Sequence, residues 1–92
     1  MILAFSPAFI RQYRALAETD QQFCNAALEA LPTAFGHPHR HAGLGLRALR
    51  RGVYECRASQ GLRIGFTRHA DKLLLRVVGN HDAIRTWLRN SL

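Results

Sequence analysis

The stretch VYECRASQGLRIGFTRHADKLLLRVVG, residues 53–79, decides the fold. It holds three runs of seven or eight residues, Val53 to Ser59, Leu62 to His69 and Lys72 to Gly79. Gln60-Gly61 and Ala70-Asp71 separate them. Runs rich in β-branched, aliphatic and aromatic residues, broken by two turn residues, predict an antiparallel meander. Side chains alternate across a strand. Tyr54, Cys56 and Ala58 therefore share a side with Leu62, Ile64 and Phe66, and with Leu73, Leu75 and Val77. The opposite side carries Glu55, Arg57, Arg63 and Arg76. The apolar side needs a covering layer, and the charged side is expected to form an open second face.

The chain before the meander supplies that layer. Ile2 to Phe5 reads as a short first strand. Ser6-Pro7 is a helix start, with Ser6 as N-cap and proline at the first helical position. Phe9, Ile10, Tyr13, Leu16 and Ala17 recur at helical spacing, so a helix is expected from Pro7 to Glu18. Thr19 or Asp20 caps a second helix with the stripe Phe23, Ala27, Leu28 and Leu31, and Pro32 ends it. The two helices form a hairpin. Residues 36–43 read as a loop, and Leu44 to Leu49 as the opening of the sheet. Arg50-Arg51-Gly52 is a basic turn. Beyond the meander, Ile84, Trp87 and Leu88 predict a short last helix within His81 to Leu92. The expectation is one α+β domain over residues 1–92: a short strand and an α-hairpin on an antiparallel meander, then a short C-terminal helix.

Charge narrows the partners. Thirteen Lys+Arg face six Asp+Glu, a formal net of +7. All the basic residues but Lys72 are arginine. The planar guanidinium fork matches phosphate and carboxylate oxygens in pairs, so a polyanion partner is expected, either nucleic acid or an acidic protein. Cys24 and Cys56 sit in apolar patterns without a CxxC and are expected as buried, reduced thiols. No basic, apolar leader and no run of membrane-spanning length is visible, so a cytoplasmic protein with no membrane partner is expected. His37, His39 and His41 alternate in the loop, but no Cys or acidic ligand stands at useful spacing, and no metal or other cofactor is expected.

The end of the third run suggests chemistry. Val77-Val78-Gly79-Asn80-His81-Asp82 leaves the sheet and starts the helix, with His81 near the edge of the basic face. Histidine is the side chain best suited to general acid–base work near neutral pH. Its plain reading is a helix-start residue without chemistry. Glu55 is a candidate base, or a carboxylate that holds Arg57 or Arg63. Trp87 could stack on a base, or pin the last helix to the sheet.

The combination resembles the RelE/ParE superfamily of bacterial toxins over nearly the whole chain. Gly52-Val53-Tyr54-Glu55-Cys56-Arg57, Gly61-Leu62-Arg63-Ile64-Gly65-Phe66 and Val77-Val78-Gly79-Asn80-His81-Asp82 carry the likeness, in that order. The resemblance implies a type II toxin: a metal-independent endoribonuclease that cuts mRNA in the ribosomal A site. It also implies a cognate antitoxin, expected to be acidic, in a toxin–antitoxin hetero-oligomer. It assigns Arg63 to the scissile phosphate and His81 to a position held by a catalytic histidine or arginine in various members. It places Trp87 at an aromatic position that contacts substrate, and Arg57 at a basic one. Arg50, Arg51 and Arg76 join them as candidate RNA contacts by charge. Glu55 stands where one branch has lysine. A ParE-like gyrase inhibitor without nuclease activity, or a non-catalytic binding module, shares the same fold.

Overall fold

The structure is a computed structural model and describes residues 1–37 and 43–91. In chain order its elements are β1 (Ile2–Phe5), α1 (Pro7–Ala15), α2 (Glu18–Ala34), β2 (Arg47–Arg50), β3 (Val53–Ser59), β4 (Leu62–His69), β5 (Lys72–Gly79) and α3 (His81–Asn90). The three meander strands have the bounds that the turn residues predict. The sheet order is β1-β5-β4-β3-β2. Neighbours from β5 to β2 are antiparallel, while β1 adds to β5 in parallel, Ile2 beside Lys72 and Phe5 beside Leu75.

Local chemistry explains the helix ends, and corrects two of them. Ser6 caps α1 as expected, its Oγ accepting the Phe9 N–H at 3.1 Å. The helix stops at Ala15, earlier than Glu18, because Leu16 is already extended and bonds back to Tyr13 O. Neither Thr19 nor Asp20 is the cap of α2. Ala17 holds that position without a side-chain bond, and Glu18 and Asp20 instead put negative charge in the first turn. Nor does Pro32 end α2, which runs on to Ala34. Leu31 and Ala34 are fully buried, and Phe35 N–H still bonds Leu31 O at 3.0 Å, so burial of the last turn outweighs the missing proline donor. The strand expected from Leu44 begins three residues later, at Arg47.

α1 packs over β5, and α2 over β3 and β4. Between helices and sheet lies the core: Phe9, Cys24, Leu31, Cys56, Ile64, Phe66, Leu73, Leu75 and Val78 among others. Val78 corrects the expected alternation. Gly65 pairs with Val77 but Phe66 pairs with Leu75, so Arg76 is an extra residue in β5. A bulge of this kind reverses which side chains face which way beyond it. Val78 thus joins Leu73 and Leu75 in the core, and Val77 turns to the other face. The bulge sits where β1 gives way to α1. Ser6 N–H bonds Leu75 O, Ser6 Oγ donates to Arg76 O, and Gln12 Oε1 accepts the Val78 N–H at 3.0 Å.

The second face is not open along its whole length. α3 lies across β4 and β5, and its own Ile84 and Val77 of β5 are both buried. Gly65 makes this docking possible, since a Cβ there would lie 2.5 Å from Trp87 Cζ3 and 2.6 Å from Val77 Cγ1.

Candidate nucleic-acid interface

The site is built on the ladder between β3 and β4. Arg57 stands directly across from Arg63, and Arg63 across from Gly79 of β5. In the adjacent row, Arg47, Glu55, Gly65 and Val77 follow one another across β2 to β5. All the charged members of these rows point to the face on which α3 lies. Trp87 covers the Gly65 position of that face, leaving its Arg57–Arg63 end uncovered. There an open cavity of about 580 Å³ is lined by Gly43, Arg57, Ser59, Gln60 and Arg63.

Glu55 is the anchor of this arrangement, and only 2% exposed. Its Oε2 accepts Arg47 Nε at 2.5 Å and Arg63 Nη1 at 3.4 Å. A carboxylate this deep is costly unless paired, and two guanidiniums meet that need. Of the two partners anticipated for Glu55, Arg63 is bonded and Arg57 is not. Arg57 is exposed and has no carboxylate partner among the described residues. Its side chain runs along Gly45, whose left-handed φ of 58° and missing side chain let the segment before β2 pass close by.

His81 is brought to the same end of the sheet. Gly79 is the ladder partner of Arg63, and a Cβ on it would lie 2.7 Å from Ala83 Cβ, so the chain turns tightly onto the face. Asn80 caps α3, its Oδ1 accepting the Ala83 N–H at 2.9 Å. His81 follows as the first helical residue, and it is exposed.

The remaining predicted residues lie toward the other end of α3. Arg50 donates to Ser91 O at 3.2 Å and also to Leu88 O, so it holds the C-terminal carbonyls of the helix. Arg51 is exposed in the turn before β3. Half-buried Arg76 shares a cleft of about 150 Å³ with Val53, Thr67, Trp87, Leu88 and Ser91. The Trp87 ring packs on Gly65, and its Nε1 is buried with no hydrogen-bond partner among the described residues. Trp87 therefore pins α3 to the sheet. Arg47 was missed by sequence reading. Its place opposite Glu55 depends on the β2–β3 register, which no local pattern specifies.

Cys24 and Cys56 are free and buried. Burial raises Cys24 to about 11. Burial, and then the neighbouring Cys24 and Glu55, raise Cys56 to about 12. Neither thiol is primed for nucleophilic work. Among the described residues no group of three His, Cys, Asp or Glu is placed to hold a metal ion, and no helix is long and apolar enough to cross a membrane. His39 and His41 lie outside the described residues.

A five-stranded mixed sheet with a helical pair on one face and a C-terminal helix on the other is the fold of the RelE-type toxins. No protein-family model matches the sequence, and no curated protein resembles it in sequence. Solved structures do resemble it. A RelB–RelE antitoxin–toxin complex from Methanococcus jannaschii matches with TM-score 0.68 at 14% identity, over 91% of this chain and 96% of that one. A mutant E. coli RelE toxin, in complex with a peptide of its antitoxin, matches with TM-score 0.63 at 16% identity, over 99% and 94% of the two chains. YafQ from E. coli matches with TM-score 0.60 at 14% identity, over 89% and 94%. At these identities the likeness is one of fold.

Proposed function

We propose that this chain is the toxin of a type II toxin–antitoxin pair, an endoribonuclease that cuts mRNA, on the ribosome, and so arrests translation. One observation carries the reading. Arg57 and Arg63 oppose each other at the uncovered end of the face, Arg57 without a carboxylate partner among the described residues, with exposed His81 at the same end.

Such a site suits cleavage by the RNA's own 2′-hydroxyl. That oxygen loses its proton, attacks the adjacent phosphorus and forms a P–O2′ bond while the P–O5′ bond breaks. The products are a 2′,3′-cyclic phosphate and a 5′-hydroxyl that has gained a proton. Arg63, steadied by Glu55, faces the charge that builds on the phosphorane, and Arg57 shares it. His81 takes the first proton or supplies the last. Glu55, buried and doubly bonded, serves by holding arginines in place. Arg50, Arg51 and Arg76, toward the other end of α3, would meet the extended strand. The +7 net charge also suits an acidic antitoxin segment laid across this face in the cytoplasm.

The test programs ribosomes with mRNA in the presence of EDTA and maps the cut ends, with a gyrase supercoiling assay run alongside. Cleavage that leaves cyclic phosphate is expected, falling about 10²-fold or more in Arg63→Ala and His81→Gln while both stay folded. Full growth arrest by both variants, or blocked supercoiling with intact mRNA, would overturn the reading.

A further inference from the structure

We infer that Arg47 and Glu55 form a second phosphate subsite beside the Arg57–Arg63 end, in which buried Glu55 is a positioning residue and Arg47 holds the phosphodiester next to the one being cut. This inference rests on the nuclease reading and adds to it a second, adjacent phosphate contact.

The geometry is specific. Glu55 is 2% exposed, whereas the Arg47 side chain is 62% exposed and the Arg63 side chain 23%. Each arginine spends one donor on the carboxylate, Nε from Arg47 and Nη1 from Arg63. A guanidinium has five N–H donors, so most of each fork remains for another acceptor. Fixing Arg47 through Nε leaves both its terminal nitrogens without a bond to any described residue, and they form the edge that grips a phosphate in two places.

Charge balance asks for an anion. Arg47, Arg57 and Arg63 bring three positive charges, Glu55 brings one negative, and no other carboxylate is bonded to them among the described residues. Spacing selects the kind of anion. The Arg47–Glu55 row and the Arg57–Arg63 row are two residues apart on β3. Two residues of strand rise about 7 Å, close to the separation of successive phosphates along one RNA strand. A second phosphate thus arrives beside Arg47 when the first occupies the cavity. Glu55 fixes both cations before RNA arrives, which lowers the ordering cost of binding.

The test measures binding of a short 2′-O-methyl RNA, which cannot be cut, by fluorescence anisotropy across a range of salt. Cleavage of unmodified RNA is scored separately. Arg47→Ala should weaken binding three- to tenfold and lower the salt slope by about 0.7, one single-strand phosphate contact. Glu55→Gln decides the positioning role through its sign. It adds net positive charge to a basic face, so plain electrostatics would tighten binding, whereas loss of the anchor should loosen it three- to tenfold. Unchanged or tighter binding by a folded Glu55→Gln protein would overturn the inference. Should that variant unfold, Arg47→Lys decides. It keeps the charge and loses the fork, so weakened binding supports the subsite and wild-type affinity refutes it. Poly-glutamate binding as tightly as RNA, with the same losses, would reassign the site to an acidic protein. A protein that binds with this variant pattern yet cuts no RNA would retain the subsite and lose the nuclease reading.

Discussion

Replacing Gly65 by alanine would place a methyl carbon 2.5 Å from Trp87 Cζ3, 2.8 Å from Trp87 Cε3 and 2.6 Å from Val77 Cγ1. Carbon atoms rest comfortably at about 3.5–4.0 Å, so the indole must retreat by roughly 1 Å. The ring is rigid and the sheet beneath it is fixed by two ladders, so the helix moves. Overpacking of this kind costs about 1–3 kcal/mol, or roughly 5–20 °C in melting temperature for a chain of this size. Because Trp87 is the only tryptophan, its emission reports this docking alone, and a red shift is expected. His81 opens the same helix, so under the proposed cleavage role a 1 Å misplacement of it would cost on the order of 10² in rate. Gly61→Ala is the control, since nothing lies within 4 Å of a Cβ there. A Gly65→Ala protein that melts with the wild type and keeps its emission maximum would refute the account of how α3 is held.

Three further outcomes follow from the contacts. Arg50→Ala removes the donors on Leu88 O and Ser91 O and should cost about 0.5–1.5 kcal/mol, seen as faster amide exchange in the last turn of α3. Ser6→Ala loses the α1 cap and the bond to Arg76 O, so a loss of about 1 kcal/mol in denaturant unfolding is expected. Alkaline pH should destabilise the protein. Both thiols are raised from 9.0 in the folded state, Cys24 to about 11 and Cys56 to about 12, so only the unfolded chain ionises them readily. The stability they contribute is complete below about pH 9 and is lost as pH climbs through 11 to 12. A Cys24→Ala/Cys56→Val protein should show a flatter decline in urea midpoint over that range, and an unchanged slope would remove this cause.

Much of the site could be read from local pattern, and its limits have a definite origin. Glu55, Arg57 and Arg63 share a face because alternation along a strand is geometric and the Gln60-Gly61 turn is short. His81 at the helix start follows from Gly79 and Asn80. Val77 escaped this logic, since the bulge at Arg76 is stabilised by Ser6, seventy positions away in the chain. Trp87 had two readings that spacing could not separate, and its packing on Gly65 became visible only in the folded chain. Arg50 looked like a basic turn residue and turned out to hold a helix end, which is visible only once the docked α3 brings its last carbonyls within reach of Arg50.

The sequence alone determined the strands of the meander, the helical cover and the collection of arginines on one side, because periodicity, turn residues and charge act over a few neighbours. Tertiary structure alone decided that α3 covers the second face, that β1 joins in parallel, and that Arg47 meets Glu55. Those choices depend on register and on close approach between distant segments, whose energies exist only once the chain has closed upon itself.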